Sequence, residues 1–308
     1  MGSVVSIVRA SDRAEEINGS ISKALDLIGF HLNKTVKSVV IKPNLCYYWD
    51  ASTGYTTDPR VVSGIIDYVR EKYGEDVEIK VAEADASAMR TKYVFPVLGY
   101  DKLAKEKNVD LFNLSDDVLA EETVHVNGRD ISFKVPTILL KTDLFINVPK
   151  LKIMRVTKIT CAMKNIFGCI GFPRKIVYHK FLNEAIVGIN KILHPHLTIV
   201  DGLVVLGRNP AKLGVIIAGT DPFSIDWVAS QITGYKPSGV KFLRLAMKEK
   251  LGDRSGILTV GESVQEVAKA FPKEKLVASR YLWGIQFWLL SAYRRITGDI
   301  IPPVIEEA

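Results

Sequence analysis

Four lysines, two asparagines, a histidine and an aspartate stand just beyond apolar runs, where a folded chain can gather them. SVVIKPNLC puts Lys42, Asn44 and Cys46 at the end of one such run, and FINVPKLK puts Lys150 and Lys152 at the end of another. The stretch TCAMKNIFGCIGFPRKIVYHK, residues 160–180, adds Lys164, Asn165, Gly168, Lys175 and His179, and TIVDG adds Asp201 before Gly202. In one cleft, Lys42, Lys150, Lys152 and Lys164 would neutralise a carboxylate or phosphate while Asn44 and Asn165 direct hydrogen bonds at it. His179 would move a proton, with Lys164 as the alternative base, and Asp201 would orient the histidine or hold a divalent cation.

Each residue also has a plainer reading. Lys42 is a solvated chain end, Asp201 closes a turn, and Asp58 and Asp221 cap helices. His125 sits on a hairpin surface, and His194 and His196 flank Pro195 in a turn. Glycine lets backbone amides approach an anion closely, so Gly168 and GRNPAKLG, from Gly207 to Gly214, are candidate anion loops. Neither spacing matches a P-loop or a dinucleotide fingerprint.

The chain has three cysteines: Cys46, Cys161 and Cys169. No C-x-x-C pair or zinc-finger spacing occurs. All three fall in the candidate segments, so three thiolates holding a four-iron four-sulfur cluster stand beside two other readings, buried apolar packing and a nucleophilic thiol.

Positioning such a set needs strands that end at one edge. The first half alternates accordingly: strands at residues 4–8, 38–45, 77–84 and 109–114 are separated by helical patterns at 15–30, 57–73 and 93–107. TVHVNGRDISFKV predicts a hairpin turning at Asn127-Gly128. A strand at 144–148, a helix at 181–193, strands in LTIVDG and GVIIAGTD, and a helix in DPFSIDWVASQITG follow. The expected fold is α/β: a largely parallel sheet flanked by helices, with an inserted β-hairpin and either one lobe or two around a cleft. Residues 1–235 form this core, and 236–308 form a helical C-terminal extension.

At 308 residues, 47% hydrophobic and 24% charged, the chain is globular. A net charge of +7 favours anionic partners, but it is spread along the sequence without a nucleic-acid signature. An odd cysteine count and an early-charged N-terminus point to the cytoplasm. YLWGIQFWLLSAY, in an aromatic helix near 281–296, is too short to span a bilayer. It would dock on the domain, dimerise, or lie at a membrane surface.

IKPNLC with TTDPRVV, NVPKLK with KITCAMKNIFG and YHK, and DGLVVLGRNPAKLG with GTDPFSID occur in that order. Together they resemble the bacterial and archaeal family catalogued as domain of unknown function 362, over roughly residues 4 to 240. Matching positions include Lys42, Asn44, Asp58, Lys150, Lys152, Thr160, Lys164, Asn165, Gly168, His179, Asp201, Gly202, Gly207 and Asp221. The resemblance implies little about activity; many members are described only as iron–sulfur proteins and carry a ferredoxin-like module whose four-cysteine runs this sequence lacks. Family members commonly have a histidine after the NVPKLK lysines, where this chain has Ile153, Met154 and Arg155.

These residues lead to an enzyme acting on a small anionic substrate by acid/base or group-transfer chemistry. The alternatives are cluster-based redox or dehydratase chemistry and a non-enzymatic, membrane-associated binding protein.

Overall fold

The computed structural model describes residues 2–11, 13–32 and 34–273. The first βα units run β1 (Val4–Arg9), α1 (Ala14–Leu27), β2 (Ser38–Pro43), α2 (Pro59–Tyr73) and β3 (Glu78–Glu83). Next come α3 (Thr91–Val97), α4 (Tyr100–Lys107) and β4 (Asp110–Asn113), the helices parted at Gly99, whose φ of 77° ends the first. In α1 the buried residues Ile17, Ile21, Ala24 and Leu25 recur at helical spacing and form the face laid on the sheet. Asp58 caps α2 by accepting from the Arg60 N–H, and Pro59 fills the first turn, where a missing N–H costs nothing.

β5 (Leu119–Val126) and β6 (Arg129–Pro136) make the expected hairpin as a separate two-stranded sheet. Asn127 and Gly128 turn it with φ of 51° and 79°, the paired positive values of a type I′ turn. Then follow α5 (Thr137–Lys141), β7 (Leu144–Val148), β8 (Lys150–Met154), β9 (Lys158–Thr160), α6 (Ala162–Phe167) and α7 (Leu182–Ile192). β10 (Leu197–Leu206), β11 (Pro210–Gly219), α8 (Pro222–Ile232), α9 (Lys241–Lys248), β12 (Leu258–Gly261) and α10 (Val264–Ala270) complete the described chain.

Ten strands form one sheet, with its main path β12-β1-β11-β10-β7-β2-β3-β4 and with β8 and β9 attached beside β10. Along that path only β11 runs against the others. Apolar clusters pack on the sheet around Ile41, Ile65 and Val81, around Phe145, Ile166 and Ile186, and around Val5, Val200 and Val228.

Two details depart from the sequence reading. The chain beyond Lys236 is not helical throughout, because β12 pairs in parallel with β1 and extends the sheet. Its run of four residues between Gly256 and Gly261 is too short to announce itself by periodicity. GRNPAKLG is not a free loop either: β10 and β11 pair up to Leu206 and Pro210, and Gly207 turns against Pro272. The aromatic segment 281–296 lies outside the described residues.

Candidate functional site

The chain leaves β2 through α2 to β3 on one side and later returns as β7 on the other. Strand order therefore reverses between β2 and β7, and the crevice beyond the carboxyl ends of such strands is where open α/β sheets bind ligands. Lys42 and Asn44 lie at the end of β2, Asn147 at the end of β7, and Lys150 and Lys152 on β8, which continues past Pro149. The sequence-predicted lysines and asparagines are thus brought together, but they divide into two kinds.

Lys42 and Lys150 are spent on buried carboxylates. Lys42 Nζ lies 2.7 Å from Glu83 Oε1, and Lys150 Nζ lies 2.8 Å from Asp201 Oδ2, with both pairs almost wholly removed from solvent. Asp201 makes two further bonds: Oδ2 also accepts from the Asp58 N–H and Oδ1 from the Leu203 N–H. Asp201 consequently fixes Lys150 and the start of α2. Gly168 permits the close approach of Lys42, since a Cβ there would lie 3.3 Å from its Nζ. The Gly168 carbonyl accepts from Lys175.

Lys152 and Lys164 have no carboxylate partner among the described residues. Lys152 is buried and donates to Asn44 Oδ1 at 2.7 Å, to the Tyr55 carbonyl at 2.7 Å and to Cys46 Sγ at 3.1 Å. Lys164, on α6, is partly exposed and makes no hydrogen bond or ion pair with a described residue. Burial pushes its pKa down to about 8; the Lys152 ammonium adds to the shift and Cys46 opposes it. His179 is exposed on the short 3-10 helix Lys175–Phe181, with its ring 6.5 Å from that of Phe167. Its pKa is lowered by partial burial and then by Lys164, so the two share one electrostatic neighbourhood. Thr160 is opposite Lys152 in the β8–β9 pairing and hence on the same face; its buried Oγ1 has no partner among the described residues.

The asparagines are a relay. Asn44 Nδ2 donates to Asn165 Oδ1 at 2.9 Å, Asn165 Nδ2 donates to Asn147 Oδ1 at 2.8 Å, and Asn147 Nδ2 donates to the Ala162 carbonyl at 3.2 Å. Because these amides satisfy one another, they lock α6 to the ends of β2 and β7 and so position Lys164, one residue before Asn165. α6 is also held from the other side by Asp226 on α8, whose oxygens accept from the Ala162 and Met163 N–H groups at 2.7 and 3.0 Å. Sequence reasoning missed this contact and Glu83's bond to Lys42, although Asp226 in SIDW had no other assigned role.

The three thiols do not converge. Cys161 and Cys169 are fully buried in different apolar clusters, and among the described residues Cys46 is the thiol hydrogen-bonded to a lysine, Lys152. Burial pushes Cys169 up to about 12 and Cys161 well above the ordinary thiol range. Among the described residues no group of three or more His, Cys, Asp or Glu side chains is placed to hold a metal ion. A three-cysteine cluster does not fit this arrangement, because two of its proposed ligands are packed as small apolar side chains. Gly207 forms no hydrogen bond to the lysines, and Arg208 N–H is taken by the Pro272 carbonyl at 3.2 Å.

The loop from β2 to α2 closes over this region. Cys46 near its start and Tyr55 toward its end both bond Lys152. Gly54 lets the loop rest on β10: its φ is 72°, and a Cβ would come 2.7 Å from the Val205 carbonyl carbon. A separate cavity of about 320 Å³ between Ser38, Glu78, Lys80, Asp117, Thr137 and Lys141 lies at the opposite end of β2 and β3.

Fold and site define an open α/β protein with a cationic cluster at its strand-order reversal. Residues 39–231 match the family described as Domain of unknown function (DUF362), and the chain belongs to that family. It is 26% identical over 265 residues to the thylakoid-associated protein sll1697 of Synechocystis sp., covering 80% of this chain and 79% of that protein. A solved structure with similarity is the lactate racemase apoprotein from Thermoanaerobacterium thermosaccharolyticum, at a TM-score of 0.44 and 11% identity. That match covers 75% of this chain and spans 57% of the other, and at this level it says nothing of activity.

Proposed function

We propose that this protein is an enzyme that binds a small carboxylate- or phosphate-bearing substrate beyond the ends of β2 and β7, with Lys164 as the proton-moving group. The observation that carries the reading is the contrast among the lysines: Lys42 and Lys150 have carboxylate partners, whereas Lys152 and Lys164 have none among the described residues. Two cations with no carboxylate partner among the described residues, near enough that Lys152 lowers the pKa of Lys164, favour an anion between them. Thr160 Oγ1 is a spare hydrogen-bonding group on the same face.

Lys164 suits proton transfer because its pKa is lowered to about 8. About a tenth of such amines are neutral at pH 7, against fewer than one in a thousand for an unperturbed lysine. The neutral amine would take a proton next to the substrate carboxylate or phosphate ester. The Lys152 ammonium would hold the negative charge that develops, and His179 at the rim would pass the proton to water. A thermal-shift panel of small carboxylates and inorganic phosphate tests the reading. Stabilisation of the wild type that is lost in Lys164→Ala is expected; no stabilisation by any anion would overturn it.

The name of the Synechocystis relative supports a second reading, that this chain also meets a membrane surface. Among the described residues no helix is long and apolar enough to cross a bilayer. Flotation with anionic liposomes, comparing the full chain with one ending at residue 273, tests it. Recovery of both in the pellet would remove the idea.

A further inference from the structure

Beside the two lysines that lack a carboxylate partner among the described residues stands a group of aromatic side chains that no step above uses. CYYWD follows β2 directly, and its Tyr47 and Trp49 rings stack at 4.9 Å between centroids and 22° between planes. Tyr55, from the far end of the same loop, meets Trp49 edge-on at 4.4 Å and Tyr47 at 5.5 Å. The group is continuous with the cationic cluster: Lys152 Nζ lies 5.8 Å from the Tyr55 ring centre and 2.7 Å from the Tyr55 carbonyl. Tyr47 senses the same neighbourhood, its pKa pushed up to about 12 by burial, then by Cys46, then by Tyr55.

Two properties separate this group from ordinary core packing. Trp49 remains 49% exposed although it is packed against both Tyr47 and Tyr55, so about half of a large aromatic side chain is held in place and still open to solvent. The loop that carries it is also anchored at several points. The Thr56 hydroxyl donates to the Trp49 carbonyl at 2.6 Å, the Thr57 N–H donates to the Asn44 carbonyl at 3.0 Å, and Gly54 seats the loop on β10. A rigid aromatic face binds another ring at low entropic cost, because little side-chain freedom is left to lose.

We propose that the substrate's anionic group is carried on a planar aromatic or heteroaromatic ring, with the anion at Lys152 and Lys164 and the ring on Trp49. This deepens the anionic-substrate reading and rests on it. Charge complementarity argues for a small ligand: the apolar face adjoins Lys152, which has no carboxylate partner among the described residues, a pairing that an aryl carboxylate or aryl phosphate satisfies at both ends. A purely aliphatic anion would leave Trp49 in water.

The test compares phenyl phosphate with inorganic phosphate by isothermal titration calorimetry on the full chain, in wild type, Trp49→Ala and Trp49→Phe. Phenyl phosphate should bind the wild type roughly three- to tenfold more tightly, the gain expected of one ring–ring contact. Trp49→Phe should keep most of that advantage. Trp49→Ala should erase it while leaving the affinity for inorganic phosphate unchanged, which also shows that the variant is folded. Equal affinities in the wild type would overturn the ring assignment, leave the anion reading standing, and give the aromatic face another occupant. An advantage that survives in Trp49→Ala would overturn it too. Failure of both probes to bind would overturn the two readings together.

Discussion

Lys152 Nζ donates to Asn44 Oδ1 at 2.7 Å, and through that bond a buried cation is tied to the amide relay that locates Lys164. Binding charge and candidate base are therefore parts of one network. The Lys152 charge also bears on Lys164 directly: after burial, it is what lowers the Lys164 pKa to about 8. In Lys152→Met the Lys164 midpoint should move upward from about 8, as read by ¹³C NMR after reductive methylation. Loss of the Asn44 and Tyr55 bonds should also lower stability by about 1–3 kcal/mol, from leaving buried acceptors unpaired. An unmoved midpoint would show that burial alone sets the value.

The paired and unpaired lysines should differ in what they do for folding. Asp201→Asn strands the Lys150 ammonium in a site with no solvent access, and a broken buried pair costs roughly 3–5 kcal/mol. Lys164→Met removes an amine that has no hydrogen bond or ion pair among the described residues, so urea denaturation should show unchanged or higher stability together with lost anion binding. A comparable destabilisation in both variants would remove the distinction.

Asp226 gives the fold a pH dependence. Burial raises its pKa from 3.8 to about 7, outweighing the two backbone N–H bonds from α6 that lower it. Between about pH 4 and pH 7 the unfolded chain has released this proton and the folded chain retains it, so the protonated form's contribution to stability declines as pH rises through that window. Asp226→Asn should flatten that decline in unfolding curves taken from pH 4.5 to 7.5. An unchanged slope in the variant would assign the pH dependence elsewhere.

Thiol exposure follows from packing. Cys161 and Cys169 are fully buried, while Cys46 is partly open beside Lys152. Of the three thiols in the chain, Ellman's reagent should label one promptly in native protein and all three in denaturant. Prompt native labelling of two or three would contradict the packing of α6 and its following loop.

Much of this arrangement was legible in the residues. Lys42, Asn44, Lys150 and Lys152 follow apolar runs, and polar residues at strand ends converge when the strands are parallel. The hairpin at Asn127-Gly128 carried its own turn chemistry. What could not be read was which charge meets which. The Lys42–Glu83 and Lys150–Asp201 pairs join residues 41 and 51 positions apart, and only strand order brings them together. Asp201 looked catalytic because its type and position allowed it; in the fold its Oδ2 is bonded to Lys150 and to the Asp58 N–H, contacts its position alone did not announce. The cysteines looked like ligands because they shared segments with the lysines, yet neighbouring residues on α6 and its flanks face different apolar layers. CYYWD was open to reading as an exposed aromatic run, and lay in the shadow of the charges on either side of it.

Among the described residues Lys164 has no carboxylate partner, and one titration tests most directly whether an anion binds beside it. With the lysines ¹³C-methylated and the Lys164 resonance assigned by comparison with Lys164→Arg, the midpoint in the free protein should lie near 8. It should rise when phenyl phosphate or inorganic phosphate is added, because a bound anion stabilises the ammonium. A midpoint near the ordinary lysine value of about 10.4, unmoved by either anion, would contradict the account.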